Sequence, residues 1–159
     1  MPSGRVHTLS SLIVATVSLP TLLASGLSTS SAIGCTAGAL VGILVNCDAD
    51  VDGGSIADYF VRVYTGRIVE AGWDLLWTPY RKVCKHRGFI SHFPLVSTCV
   101  RIAYLSVFYF LIATPLKYLF GLVRIDWAWF LWWAFVGLVL ADTCHWGLDK
   151  LDEALGGRL

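Results

Sequence analysis

Apolar and polar positions divide the chain into four hydrophobic stretches and one polar insert. The first apolar stretch is residues 9–27, "LSSLIVATVSLPTLLASGL", and the second is 32–46, "AIGCTAGALVGILVN". The third covers 95–116, "LVSTCVRIAYLSVFYFLIATPL", and the fourth 125–142, "IDWAWFLWWAFVGLVLAD". A helix needs roughly 17–25 such residues to cross a bilayer. The first and third stretches are long enough. The second and fourth are marginal and suit short spans or buried helices. Pro20 is expected to kink the first helix or end it early, because it removes a backbone donor. This pattern predicts an all-α fold: a membrane-embedded bundle of about four apolar helices, one domain over 1–159.

The insert, residues 47–94, has a different period. Ile56, Tyr59, Phe60, Val63, Tyr64, Ile68 and Ala71 share one helical face, while Asp58, Arg62, Thr65 and Glu70 share the other. That spacing predicts an amphipathic helix, lying on the membrane surface or, as the alternative, packed on a core like that of a soluble domain. Trp73, Trp77 and Tyr80 follow, with rings suited to the headgroup level.

Composition sharpens the membrane reading. Apolar residues make up 56% of the chain and charged residues 14%, against about a quarter charged in soluble domains. The net charge of +1 gives no reason to expect nucleic acid as a partner. Cys35, Cys47, Cys84, Cys99 and Cys144 include no CxxC pair and are odd in number, which argues against a disulfide framework. Cys35 and Cys99 read as small packing residues. The first stretch, with Arg5 before it, has the look of a signal peptide, but cleavage there would discard His7.

Gly34, Gly38 and Gly42 stand at i, i+4 and i+8 in the second stretch. Such a stripe lets a neighbouring helix approach closely. It offers either a dimer face, which allows a homo-oligomer, or packing within the chain against the first helix. The second reading is preferred because these patterns are common.

Four antiparallel segments would put the chain ends and the 47–94 insert on one side. His7, His86, His92 and His145 then all reach that side. So do Asp48, Asp50, Asp52, Asp142, Asp149, Asp152 and Glu153. In "DTCHWGLDKLD" the residues Asp142, His145 and Asp149 stand at i, i+3 and i+7, within roughly 60° of one helix face. An imidazole and a carboxylate one turn apart can grip one cation, or one can orient the other. "DADVD" (48–52) is not an EF-hand loop: counted from Asp48, Gly53 meets the sixth position but Tyr59 occupies the twelfth, where glutamate is required. In "HRGFISH" the two histidines are six apart and cannot share one regular helix face; Gly88 and Pro94 allow a turn between them. Imidazoles with carboxylates suit a divalent metal, zinc or manganese ahead of magnesium or calcium. Arg87 fits either a phosphate oxygen or a surplus carboxylate.

The motifs "MPSGRVH", "DVD", "WTPYRKVCKHRGFISH" and "GLVLADTCHWGLD" occur in this order. They closely resemble a bacterial family of membrane metal-binding proteins, domain of unknown function 2227. That family looks like a relative of the membrane-bound, LexA-regulated metal-dependent hydrolases, which carry a similar "HRGxTHS" motif. Both look distantly like the helical zinc-dependent phospholipase C and nuclease class. The resemblance implies His7, Asp50, Asp52, His86, His92, His145 and Asp149 as metal ligands or site residues, with Arg5 and Arg87 as anion partners. Asp48 falls outside the shared "DxD" and reads as peripheral. Cys144 and Ser91 replace the serine and threonine usual before the last two histidines.

Two functions follow as expectations. In the first, metal on the His/Asp face supports hydrolysis of a phosphoester or phospholipid headgroup, with Asp50 or Asp149 as general base and Arg87 steadying developing charge. In the second, the metal pins helix ends together in a scaffold or partner-binding protein. A transporter fits less well, since transport sites lie near the bilayer midplane. Arg5, Arg62, Arg67, Arg81, Lys82, Lys85 and Arg87 lie on the site side, against Lys117 and Arg124 on the other. The positive-inside rule then turns the His/Asp face towards the cytoplasm of a bacterial inner membrane. Arg101 is expected to snorkel to that face.

Overall fold

A serine and a glycine turn the chain between its first two helices. α1 (Gly4–Ala24) is followed by Gly26 at φ +83°. Ser28 then caps α2 (Thr29–Val41), accepting from the Ser31 amide at 3.3 Å. The computed structural model describes residues 4–46, 48, 51, 55–85, 88–120 and 128–156, without the side chains of 4, 5, 7, 110, 112–120 and 128. The remaining helices are α3 (Ile56–Thr65), α4 (Arg67–Val83), α5 (Phe89–His92), α6 (Pro94–Phe120) and α7 (Ala128–Ala154). The fold is all-helical, with no strand among the described residues. α1 runs through Pro20 to Ala24, so the expected early stop does not occur. Proline forfeits one backbone bond, and the packing of α1 on α2 and α7 offsets it.

α2 and α7 form the most extensive helix pair. They run parallel: Ser31 Oγ accepts from the Trp129 indole at 2.8 Å near their starts, and Gly42 faces Ala141 towards their other ends. The glycine stripe is therefore an intrachain face, as preferred from sequence, but it receives α7 rather than α1. A Cβ on Gly38 would lie 1.8 Å from the Ala134 carbonyl oxygen, and one on Gly137 would lie 1.8 Å from that of Cys35. Neither backbone can yield without separating the helices. Gly38→Ala is expected to cost about 1–3 kcal/mol by overpacking. Gly72→Ala, in mid-helix with nothing within 4 Å of the added methyl, is expected to gain about 0.5–1 kcal/mol. Thermal unfolding of the two variants beside wild type checks both signs.

The amphipathic stretch of the insert, which sequence suggested as one helix, is divided between two, α3 and α4. Gly66, at φ +83°, closes α3 and opens α4. The inward side of α3 is Ala57, Asp58 and Val61, not the face richest in aromatics. Tyr59, Val63, Tyr64 and Ile68 stay exposed, Ile68 at 89%. Asp58 can be buried because three donors answer its carboxylate. It exchanges a capping box with Ser55 and accepts from the Trp73 indole at 3.0 Å and Arg81 at 3.3 Å. Trp77 and Tyr80, expected at headgroup level, are instead buried with Cys84 against Val100, Tyr104 and Leu105. The Tyr104 hydroxyl also donates to the Leu76 carbonyl. These contacts lock α4 onto α6.

Arg101 does not snorkel. It is fully buried in α6 and paired to Asp142 of α7, which also accepts from Thr98. With Phe93, just before α6, against Trp146, further along α7, the contact shows α6 running opposite to α7. α1 and α6 thus begin, and α2 and α7 end, at one end of the bundle. Among the described residues one helix, Trp129–Ala154, is long and apolar enough to cross a membrane by length and composition, with 28% of its window buried. α2, with 13 residues, reaches about 20 Å at 1.5 Å per residue, short of the roughly 30 Å hydrocarbon layer.

Candidate metal centre

The bundle end where α2 and α7 finish gathers Asp48, His92 and His145. Each comes from a different part of the chain. Asp48 follows α2 in a short turn: its amide donates to Asn46 Oδ1 at 3.0 Å, and its carbonyl accepts from the Val51 amide at 2.9 Å. His92 ends α5, a single turn placed between Gly88 and Pro94. His145 and Asp149 lie one turn apart on α7. His92 and His145 are 8% and 3% exposed, so both imidazoles are held within the protein.

One ligand atom from each of Asp48, His92 and His145 can be chosen so that all three lie within 4.8 Å of one another. His145 Nε2 stands 3.5 Å from Asp48 Oδ2, and His92 Nε2 stands 3.8 Å from Asp48 Oδ1. Asp149 Oδ2 approaches the same His145 nitrogen at 3.6 Å without joining that group. Atoms bound tetrahedrally to one ion at about 2.0–2.2 Å stand roughly 3.3–3.6 Å apart. The observed spacings fall close to that range. Two imidazoles and a carboxylate are also the donor mixture that zinc and manganese accept. The residues present therefore fit a divalent metal.

Ser91 sets the chemistry of His92. Its buried hydroxyl has one proton and two backbone carbonyls to receive it, Lys85 at 2.8 Å and Gly88 at 3.2 Å. With the proton given to either carbonyl, the 3.2 Å contact with His92 Nδ1 is one in which Nδ1–H donates to Ser91. This leaves the Nε2 lone pair facing Asp48. Partners of this kind fix the tautomer of a metal-ligating histidine and typically account for 10–100-fold in affinity. Ser91→Ala is expected to weaken metal binding by about tenfold with the fold retained, measured by competition against a chromogenic chelator.

Several sequence expectations meet this geometry differently. His92 and His145 are brought together, with Asp149 at their edge. Asp48, read as peripheral, is among the described residues the carboxylate that faces both imidazoles. Its signal was position: it follows α2, which finishes beside Ala141 of α7, close before His145. Asp142 shares the His145 helix face as expected, but Arg101 and Thr98 take its carboxylate. Cys144 is exposed and stands outside the ligand group. Asp50, Asp52, His86 and Arg87 lie outside the described residues, as does the side chain of His7, whose backbone is in the first turns of α1.

An all-helical bundle whose separated helix ends converge on an Asp/His/His cluster defines a helical metal-binding protein. The chain belongs to the family of uncharacterized metal-binding proteins (DUF2227), which it matches over residues 2–157. No curated protein and no solved structure matches it.

Proposed function

We propose that the protein is an integral membrane metal-dependent hydrolase acting on a phosphoester, such as a phospholipid headgroup, at the membrane surface. One observation carries this reading: two buried histidines and a half-buried aspartate border a cavity of about 290 Å³ lined by His92 and Asp149 among others. A closed structural site takes a fourth protein ligand, whereas a catalytic one keeps a position for water or substrate. Zinc or manganese held there would lower the pKa of a water and polarise a phosphoryl oxygen. Asp149, at the cavity wall, would accept a proton. Asp50 and Arg87 are proposed as further base and anion partner, and His7, Asp50, Asp52 and His86 as further ligands.

Exposed apolar side chains support the bilayer as solvent. Leu9, Ile13 and Val17 of α1, Val107 and Leu111 of α6, and Trp129 and Trp132 of α7 are each more than half exposed. So many large apolar side chains left exposed are uncommon on a soluble monomer. An apolar groove of about 430 Å³, lined by Leu12, Leu40, Leu44, Phe60 and Tyr64, adds to them. The likeness to the LexA-regulated hydrolases and the cytoplasmic orientation of the site belong to this proposal.

The test uses metal-loaded protein in lipid nanodiscs, given bis(p-nitrophenyl) phosphate and phospholipids. Turnover that a chelator abolishes, and that Asp149→Asn lowers by about 100-fold or more, is the expected result. Metal bound stoichiometrically with no turnover on any phosphoester would instead establish the scaffold reading.

A further inference from the structure

We propose that the outer face of α4 docks on an anionic lipid surface. The four most exposed large apolar side chains among the described residues are Ile68, Val83, Tyr64 and Leu75, at 89%, 82%, 76% and 75%. All four belong to the insert, and three lie on α4. At 100° per residue Ile68, Leu75, Pro79 and Val83 fall within about 80° of one another around that helix. Trp77, Tyr80 and Cys84, which pack towards α6, centre about 140° away. α4 therefore carries two apolar faces, and the described residues cover one of them. The uncovered face differs from the one that the sequence pattern singled out, which lies mostly on α3.

Charge decides what covers it. Arg67, Lys82 and Lys85 are exposed at and after the ends of the stripe. The only acids between positions 56 and 87 are Asp58, Glu70 and Asp74, and each has a cation already. Arg62 approaches Glu70 at 3.9 Å, and Arg81 bridges Asp58 at 3.3 Å and Asp74 at 3.2 Å. The surplus charge beside the stripe is therefore positive. A second copy set stripe to stripe would bring these basic residues against basic residues. An anionic lipid surface takes the apolar side chains into its acyl boundary and gives the cations phosphates. Position agrees. Trp77 and Tyr80 of α4 meet α6 at Val100, Tyr104 and Leu105, about 9–17 Å along α6 from its start at the metal end. A metal centre at headgroup level puts α4 just beneath it, at the boundary where such helices lie. That depth rests on the membrane reading above; the preference for anionic lipid is added to it.

The test places photoreactive benzoylphenylalanine at Leu75 of the full chain, reconstituted in phosphatidylcholine vesicles with about one-fifth phosphatidylglycerol. Mass spectrometry then identifies what the probe captures. Phosphatidylglycerol adducts are expected at about three times that lipid's share of the bilayer. The triple variant Arg67→Gln/Lys82→Gln/Lys85→Gln should return them to that share, as should high salt, while phosphatidylcholine adducts persist. The same probe at Val107 of α6, which is 57% exposed, reports the bilayer independently and should capture both lipids in proportion to their shares. Lipid adducts at Val107 with none at Leu75 overturn the proposal and leave the membrane reading standing; none at either position overturns both. Capture of a second copy at Leu75 overturns it too. So do phosphatidylglycerol adducts at Leu75 that show no enrichment, or an enrichment that the triple variant leaves unchanged.

Discussion

His145→Ala is expected to leave the purified protein with less than a tenth of the divalent metal that wild type carries, a loss in affinity of at least about 100-fold. The imidazole is central because two carboxylates approach it, Asp48 at 3.5 Å and Asp149 at 3.6 Å. Removing it takes away a nitrogen ligand and leaves the two acids facing each other. His92→Ala and Asp48→Asn should lower metal content similarly. Cys144→Ser should not, because that thiol is exposed and outside the cluster. Metal analysis of the purified proteins gives the comparison directly. Unfolding supplies a second readout: metal bound only to the native state stabilises it, so a chelator should lower the wild-type melting temperature and leave that of His145→Ala unchanged. Wild-type protein that carries no stoichiometric divalent metal would sink both the hydrolase and the scaffold readings.

The convergence of distant helix ends was legible in the sequence because it depends only on segment count and direction. Hydrophobic runs give both, and they place His92, His145 and Asp149 at one end whatever surrounds the bundle. Side-chain partners were less legible. Asp142 and Asp149 sit on one arc around His145, and periodicity cannot tell which of them turns to the histidine. Arg101 decides it from another helix by taking Asp142. Asp48 was missed because motif matching favoured "DVD", while the Asn46 turn that aims it is set by a single side chain. The insert shows the same limit. Its apolar face was real, yet burial went to Ala57 and Val61, since small residues let α3 approach the bundle, and Gly66 broke the helix. The close fit of Gly38 against Ala134 likewise needed the partner helix, which the stripe alone does not name.

Asp142→Ala is expected to destabilise the protein by about 3–5 kcal/mol, more than any other single change proposed. Arg101 is fully buried and Asp142 is 2% exposed. Among the described residues Arg101 Nε and Nη1 have no hydrogen-bond partner, and neither does Asp142 Oδ1. The pair has been taken from water with few compensating bonds, so its net contribution is small. Its loss is costly all the same, because Asp142→Ala leaves a bare guanidinium between α6 and α7. The double variant Arg101→Met/Asp142→Leu removes both charges, fills similar volume and should recover most of the stability. Denaturation of wild type, both single variants and the double variant yields the coupling directly. The pair also lies one turn before His145, and α6 begins two residues after His92. If it holds the two imidazoles in register, Asp142→Ala weakens metal binding as well as the fold, and the double variant restores both together. Stability restored without metal affinity would show that the charge of Asp142, not the packing it secures, serves the metal centre.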